Sequence, residues 1–136
     1  MTATLPDGRH LILASTSPFR RELLARLDLP FTVQAPDVDE TRHPDEDAPT
    51  LVARLAERKA LAVAPHRLPA LVIGSDQAAV LDGEIIGKPG DHERAMAQLQ
   101  RASGQAVLFH TGLCLLDTAS GQRQFALETF LVVFRP

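Results

Sequence analysis

The apolar residues of this chain fall into short runs that alternate with capped helix patterns, and that alternation restricts the fold to a mixed α/β sheet. The first run, His10–Ala14 (HLILA), predicts a short buried strand that leads through the polar loop Ser15-Thr16-Ser17 into a helix signal. Ser17 is a good N-cap and Pro18 suits the first helical position, which predicts a helix over Pro18–Leu27 with the apolar stripe Leu23, Leu24 and Leu27. Asp28 and Pro30 end it, and Phe31–Ala35 predicts a second strand. Beyond the acidic loop Pro36–Asp47, a helix over Pro49–Ala64, capped by Asp47 or Thr50, sets Val52, Leu55, Ala56 and Lys59 near one face. Leu71–Ile73 predicts a buried strand running into Gly74-Ser75-Asp76, so that Asp76 stands just past a strand end. Asp82-Gly83 between Ala79–Leu81 and Glu84–Ile86 is a strong hairpin signal. A third helix is predicted over Asp91–Ala102, with Ala95, Met96, Leu99 and Ala102 facing inward and Gly104 closing it. Ala106–Leu116 and Gln124–Phe134 predict two long strands joined at Ser120-Gly121.

A chain of 136 residues, 45% hydrophobic and 23% charged, has the balance of a globular protein and the length of one domain. No apolar run approaches the roughly 20 residues of a membrane span, and residues 1–8 carry no apolar signal core. The expectation is therefore a cytoplasmic protein without a membrane partner. A single cysteine excludes a disulfide scaffold, and Cys114, inside Leu113–Leu116, reads as a buried structural thiol. The net charge of −3 argues against nucleic acid as a partner, so an anionic ligand must be met by a local cluster. Twelve arginines stand against only two lysines, Lys59 and Lys88. A lysine kept against such a bias is the better functional clue, because a flexible ammonium does what a guanidinium fork cannot.

Ser15–Arg21 (STSPFRR) is the most informative segment. Ser15 and Ser17 lie where free backbone N–H groups favour an anion. Arg20 and Arg21 stand in a first helical turn whose dipole disfavours them, which makes sense if phosphate is their counter-ion. An ordinary Ser-Pro helix start, with solvated arginines or pairs to Glu22 or Asp28, also accounts for the segment. Asp76 suits a metal or water ligand, or a turn that bonds its own backbone. The acidic loop offers oxygen ligands for Mg²⁺, or is simply solvated. Lys88 follows the hairpin, where it can aim at the same cleft, and Lys59 reads as an ordinary helix lysine. The five histidines form no ligand pair at helical spacing, and no Gly-x-Ser-x-Gly elbow, Walker loop or dinucleotide fingerprint is present.

The order of these pieces is more specific than any one of them. Leu11–Leu24 (LILASTSPFRRELL), Val38–Thr41 (VDET), Leu55–Ala60 (LAERKA), Gly74–Gln77 (GSDQ), Ile86–Pro89 (IGKP), and Ser103-Gly104 followed by Thr111-Gly112 together resemble the Maf family of cytoplasmic nucleoside triphosphate pyrophosphatases, from His10 to Phe134. The resemblance implies an elongated, twisted mixed sheet flanked by helices and a nucleotide cleft. It implies hydrolysis between the α and β phosphates with a divalent cation, Mg²⁺ or Mn²⁺. Carried over by position, Asp76 matches the proton acceptor, Ser15 and Arg20 the phosphate loop, Glu40 the metal-binding carboxylate, and Lys59 and Lys88 the two lysines.

Phe19 and Gln77 look like the branch of the family that acts on 7-methyl-GTP rather than on dTTP or UTP. A methylated guanine is cationic and would stack on an aromatic ring, while Gln77 can donate and accept at a base edge. A hydrophobic plug is the other reading of Phe19, and no second Phe lies next to it in the sequence to complete a two-ring sandwich. Three functions are carried forward: a 7-methyl-GTP pyrophosphatase, a dTTP or UTP pyrophosphatase, and a catalytically inactive nucleotide-binding regulatory fragment linked to cell division. Family members run further than Pro136, so a single domain lacking the family's C-terminal part is expected. A homodimer is the assembly to test.

Overall fold

Two neighbours claim β1 (His10–Ala14), and both its faces are covered, which is why its sequence is an unbroken apolar run rather than an alternating one. It pairs in parallel with β2 (Thr32–Gln34) on one edge and with the first residues of β3 (Ala70–Leu81) on the other. Leu11 and Leu13 pack with Leu24 of α1 (Pro18–Ala25), whereas Ile12 and Ala14 pack with Ala56 and Ala60 of α2 (Ala48–Val63). β3 turns back through a hairpin into β4 (Glu84–Ile86), and β5 (Ala106–Asp117) and β6 (Arg123–Val133) extend the sheet antiparallel. The order is β2-β1-β3-β5-β6, with β4 beside β3. The architecture is the expected mixed α/β sheet flanked by helices. The computed structural model describes residues 4–65, 68–86, 96–97 and 100–135.

Local chemistry fixes most boundaries. The Ser17 hydroxyl accepts from the Arg20 amide at 3.3 Å and the Asp47 carboxylate from the Thr50 amide at 2.9 Å, so both predicted N-caps are made. Asp82 and Gly83 take φ of 52° and 78°, both positive as a two-residue type I′ hairpin requires. α1 ends at Ala25, two residues early, because Arg26, Leu27 and Asp28 tighten into three-residue steps before Asp28 turns left-handed at φ 55°.

Several expectations are corrected. The strand after Leu71 does not stop at Ile73: β5 pairs with it from Leu71 to Val80, so Asp76 lies in mid-strand rather than past an end. Gly74 marks a close approach of backbone instead of a break. A Cβ there would fall on the Ala56 carbonyl oxygen, and one at Gly112 would meet the Val52 carbonyl, so both glycines let α2 lie directly on the sheet. Of the stripe Leu23, Leu24 and Leu27, only Leu24 is buried. Met96 is exposed rather than inward, while Ala102 is buried. The rest of that predicted helix lies largely outside the described residues.

The acidic loop is anchored from within. Glu46 is buried and accepts from the Arg54 guanidinium at 2.6 and 2.8 Å and from the His43 amide at 3.2 Å. The Arg54 fork, two turns into α2, holds this carboxyl down at about 2, against the ordinary 4.5. The folded-state value lies below the unfolded one, so the stabilisation is complete above about pH 4.5 and fades as pH falls toward 2. Thermal melts between pH 5 and pH 2 are expected to show the wild type losing its advantage over Glu46→Gln across that window. Parallel pH profiles for the two proteins would exclude this anchor.

Candidate active site

The edge of β3 that faces β1 is incompletely covered. β1 ends at Ala14, opposite Gly74, and β4 begins its pairing at Ala79, so residues 75–78 have no strand neighbour on that side. A cleft of about 400 Å³ opens there. The Ser15 loop closes one end, the acidic loop forms a rim, and α2 supplies the wall. Such a gap beyond the carboxyl end of a parallel strand is where open α/β sheets place ligands.

Each side chain is brought in by its element. Ser15 is buried, with its amide bonded to the Gln34 carbonyl at 3.1 Å and its hydroxyl accepting from the Ser17 amide at 3.0 Å. Arg20 donates to the Ser75 carbonyl at 3.2 Å, filling part of the uncovered edge. Among the described residues neither Arg20 nor Arg21 forms an ion pair with Glu22 or Asp28, the pairs an ordinary helix start would use.

Lys59 is far from an ordinary helix lysine. It is 8% exposed, and its Nζ lies 2.8 Å from Asp76 Oδ1 and 3.0 Å from Glu40 Oε1. One ammonium thus ties a β3 carboxylate to an acidic-loop carboxylate, and the close seating of α2 over Gly74 makes the reach possible. Removing Lys59 would leave the buried Asp76 carboxylate without its ammonium partner, so Lys59 is the member that holds the three together.

Asp76 and Gln77, consecutive on a strand, point to opposite faces. Asp76 faces α2, while Gln77 faces the α1 side and donates to Thr111 Oγ1 at 3.0 Å. At the uncovered edge both reach the cleft, which gathers Ser15, Arg20, Glu40, Lys59, Asp76 and Gln77. Lys88 lies outside the described residues. Phe19 does not line this cleft but an adjoining apolar groove that also contains Arg20 and Gln77, and it is 67% exposed, which rules out a core plug. A larger concavity of about 940 Å³ between α1 and β2 holds Arg21 and Glu22 but none of the carboxylate–lysine cluster. The carboxylate–lysine cluster therefore makes the smaller cleft the candidate site.

Sequence reading missed Thr111 as the partner of Gln77 and the Glu46–Arg54 anchor, because both depend on register and loop path rather than on spacing. Among the described residues no cluster of three His, Cys, Asp or Glu ligands exists. Cys114 is buried, and burial pushes its thiol up, consistent with an inert packing role. No helix of the described residues is long and apolar enough to cross a membrane.

Comparison with known proteins supplies the family. The family model described as Maf-like protein matches residues 10–136. The chain is 58% identical over 135 residues to a 7-methyl-GTP pyrophosphatase of Nitrosococcus oceani, covering 99% of this chain and 68% of that protein. It is 54% identical to the protein of that name from Alcanivorax borkumensis, covering 92% of this chain and 64% of the relative. For the Polaromonas protein of that name the identity is 53%, covering 98% and 61%. The chain thus spans about two thirds of the length of these relatives. Since the family match takes in the Ser15 loop, the Glu40 rim, Lys59 and the Asp76 strand in one continuous stretch, the chain belongs to the Maf family.

Proposed function

We propose that this chain forms the catalytic cleft of a cytoplasmic nucleoside triphosphate pyrophosphatase that hydrolyses 7-methyl-GTP to 7-methyl-GMP and pyrophosphate, removing a modified nucleotide from the pool. The observation that carries the reading is the Asp76–Lys59–Glu40 cluster, set beside Arg20 and the Ser15 loop at an uncovered sheet edge. The names of the relatives support the same substrate.

Asp76 accepts a proton from water as the water oxygen bonds to the α phosphorus; the bond from that phosphorus to the α–β bridging oxygen breaks, and pyrophosphate leaves with its electron pair. Lys59 holds the Asp76 carboxylate in place. Arg20, beside the Ser15 loop, receives phosphate oxygens as their charge develops, while the Ser15 and Ser17 amides are spent inside the protein on the Gln34 carbonyl and the Ser15 hydroxyl. Lys88, matched by the family resemblance to one of the family's two lysines, is the further cation for the leaving pyrophosphate. The donor set fits Mg²⁺ or Mn²⁺: two hard carboxylates, Glu40 and Asp76, without a third His, Cys, Asp or Glu ligand among the described residues, leave room for substrate phosphates and water. That cation, when bound, supplies Lewis-acid offset of triphosphate charge.

Incubation with 7-methyl-GTP, GTP, UTP and dTTP, with Mg²⁺ or with chelator, tests the reading. Metal-dependent pyrophosphate release, fastest with 7-methyl-GTP, is expected. Preference for UTP or dTTP would reassign the substrate, and orthophosphate as first product would overturn the reaction.

Phe19→Arg supplies a sharper check of specificity. An exposed ring beside phosphate-binding residues contributes stacking, worth about 1–2 kcal/mol with a cationic base, or roughly five- to thirtyfold in preference. The variant is expected to lower the ratio of 7-methyl-GTP to UTP in kcat/KM by that factor. An unchanged ratio removes Phe19 from base recognition.

A further inference from the structure

The apolar groove that receives Phe19 has a volume of about 600 Å³ and runs along the α1 side of the sheet. It shares Ser17, Arg20 and Gln77 with the catalytic cleft, so the two are one continuous depression that is polar at one end and apolar at the other. Phe19 stands on its helix wall. Across from it, β6 contributes Phe130, which is 47% exposed. The sequence places these rings more than a hundred residues apart, and the fold brings them to one groove.

Phe130 is also held. It pairs with Phe109 across β5 and β6, and their rings stack with centroids 5.1 Å apart and 9° between planes. Phe109 in turn lines the catalytic cleft. A ring fixed by a neighbour presents a flat face at little further entropic cost. The floor between the two aromatic walls carries Gln77 and Thr111, hydrogen-bonded to each other at 3.0 Å. The same cross-strand row continues to Glu128 of β6, which adds an exposed carboxylate to this side of the sheet.

We infer that Phe130 is a specificity-determining residue, the second aromatic wall of the nucleobase site, which with Phe19 receives the cationic purine of the substrate. The inference rests on the pyrophosphatase reading and adds to it a residue from β6. Continuity with the cleft names the occupant: a nucleotide whose phosphates lie against Arg20 can send its base along the sheet into this groove, which shares Arg20 and Gln77 with the cleft. Aromatic faces, an amide–hydroxyl floor and a nearby carboxylate match a positively charged, hydrogen-bonding purine better than a neutral pyrimidine.

The chain has neither Trp nor Tyr, so Phe130→Trp introduces a lone indole whose emission reports on that position. Titration with 7-methyl-GMP is expected to quench it, because a stacked cationic purine accepts electron density from the indole, while UMP at equal concentration leaves it bright. In parallel, Phe130→Leu should lower the kcat/KM ratio of 7-methyl-GTP to UTP by about fivefold or more, with Phe130→Trp restoring it. Calorimetric binding of 7-methyl-GMP to the wild type separates the failures. Binding without quenching, or an unchanged ratio in Phe130→Leu, overturns the role of Phe130 alone. A wild type that binds no 7-methyl-GMP overturns the substrate reading and this inference together. A Phe130→Leu protein that melts early yet keeps the wild-type ratio assigns the ring to packing and overturns the inference.

Discussion

Asp76→Asn is expected to lower pyrophosphate release about a thousandfold while leaving nucleotide affinity within about tenfold. Asparagine keeps the shape of the carboxylate, and its oxygen can still accept from Lys59 Nζ, now 2.8 Å away. The ammonium is not orphaned either, because Glu40 remains 3.0 Å from it. The fold should therefore stand, and the loss should fall on kcat. What disappears is the ability to accept a proton from water at the one carboxylate fixed by a β-strand rather than by a loop. Rapid quench with 7-methyl-GTP, alongside equilibrium binding of 7-methyl-GMP, separates chemistry from affinity. Turnover near wild type would remove Asp76 from the reaction and leave it as the structural partner of Lys59.

The residues that carry local signals were legible in the sequence. HLILA, the Ser17 and Asp47 caps and the Asp82-Gly83 hairpin each declare themselves within a few residues, and each is realised. The misreadings share a cause: each depends on what lies across the sheet. Gly-Ser-Asp reads as a turn and so sets Asp76 past a strand end, but ten consecutive pairings with β5 keep those residues extended. Lys59 reads locally as an ordinary helix lysine because its partners, 17 residues ahead and 19 behind, are set by tertiary register. Leu23 and Leu27 were assigned to a core by their period. They line the groove of Phe19 instead, since the described residues place no element over that face. The site residues themselves were named by family resemblance. Of those within the described residues, the fold brings all but Phe19 into one cleft, and sets Phe19 in the groove beside it.

The geometry of that cleft rests on two residues without side chains, and Gly74→Ala is expected to cost about 3 kcal/mol of stability, at the upper end for overpacking. The added Cβ would meet the Ala56 carbonyl oxygen and lie 2.8 Å from the Ala60 amide nitrogen, and neither backbone atom can rotate aside as a side chain would. The helix must lift. Lys59 sits in the same turn of α2, so lifting it lengthens the 2.8 Å contact with Asp76, and the folded fraction should also lose activity. Gly112, which pairs directly with Asp76 across the sheet, makes a parallel clash in Gly112→Ala with the Val52 carbonyl, one turn earlier in α2 than Ala56. Each single variant raises the same rigid helix, so the double variant should cost clearly less than the two losses added. Urea unfolding of the four proteins gives the coupling directly. Strict additivity, or a Gly74→Ala protein with wild-type stability, would mean that α2 does not owe its seat, or Lys59 its reach, to these glycines.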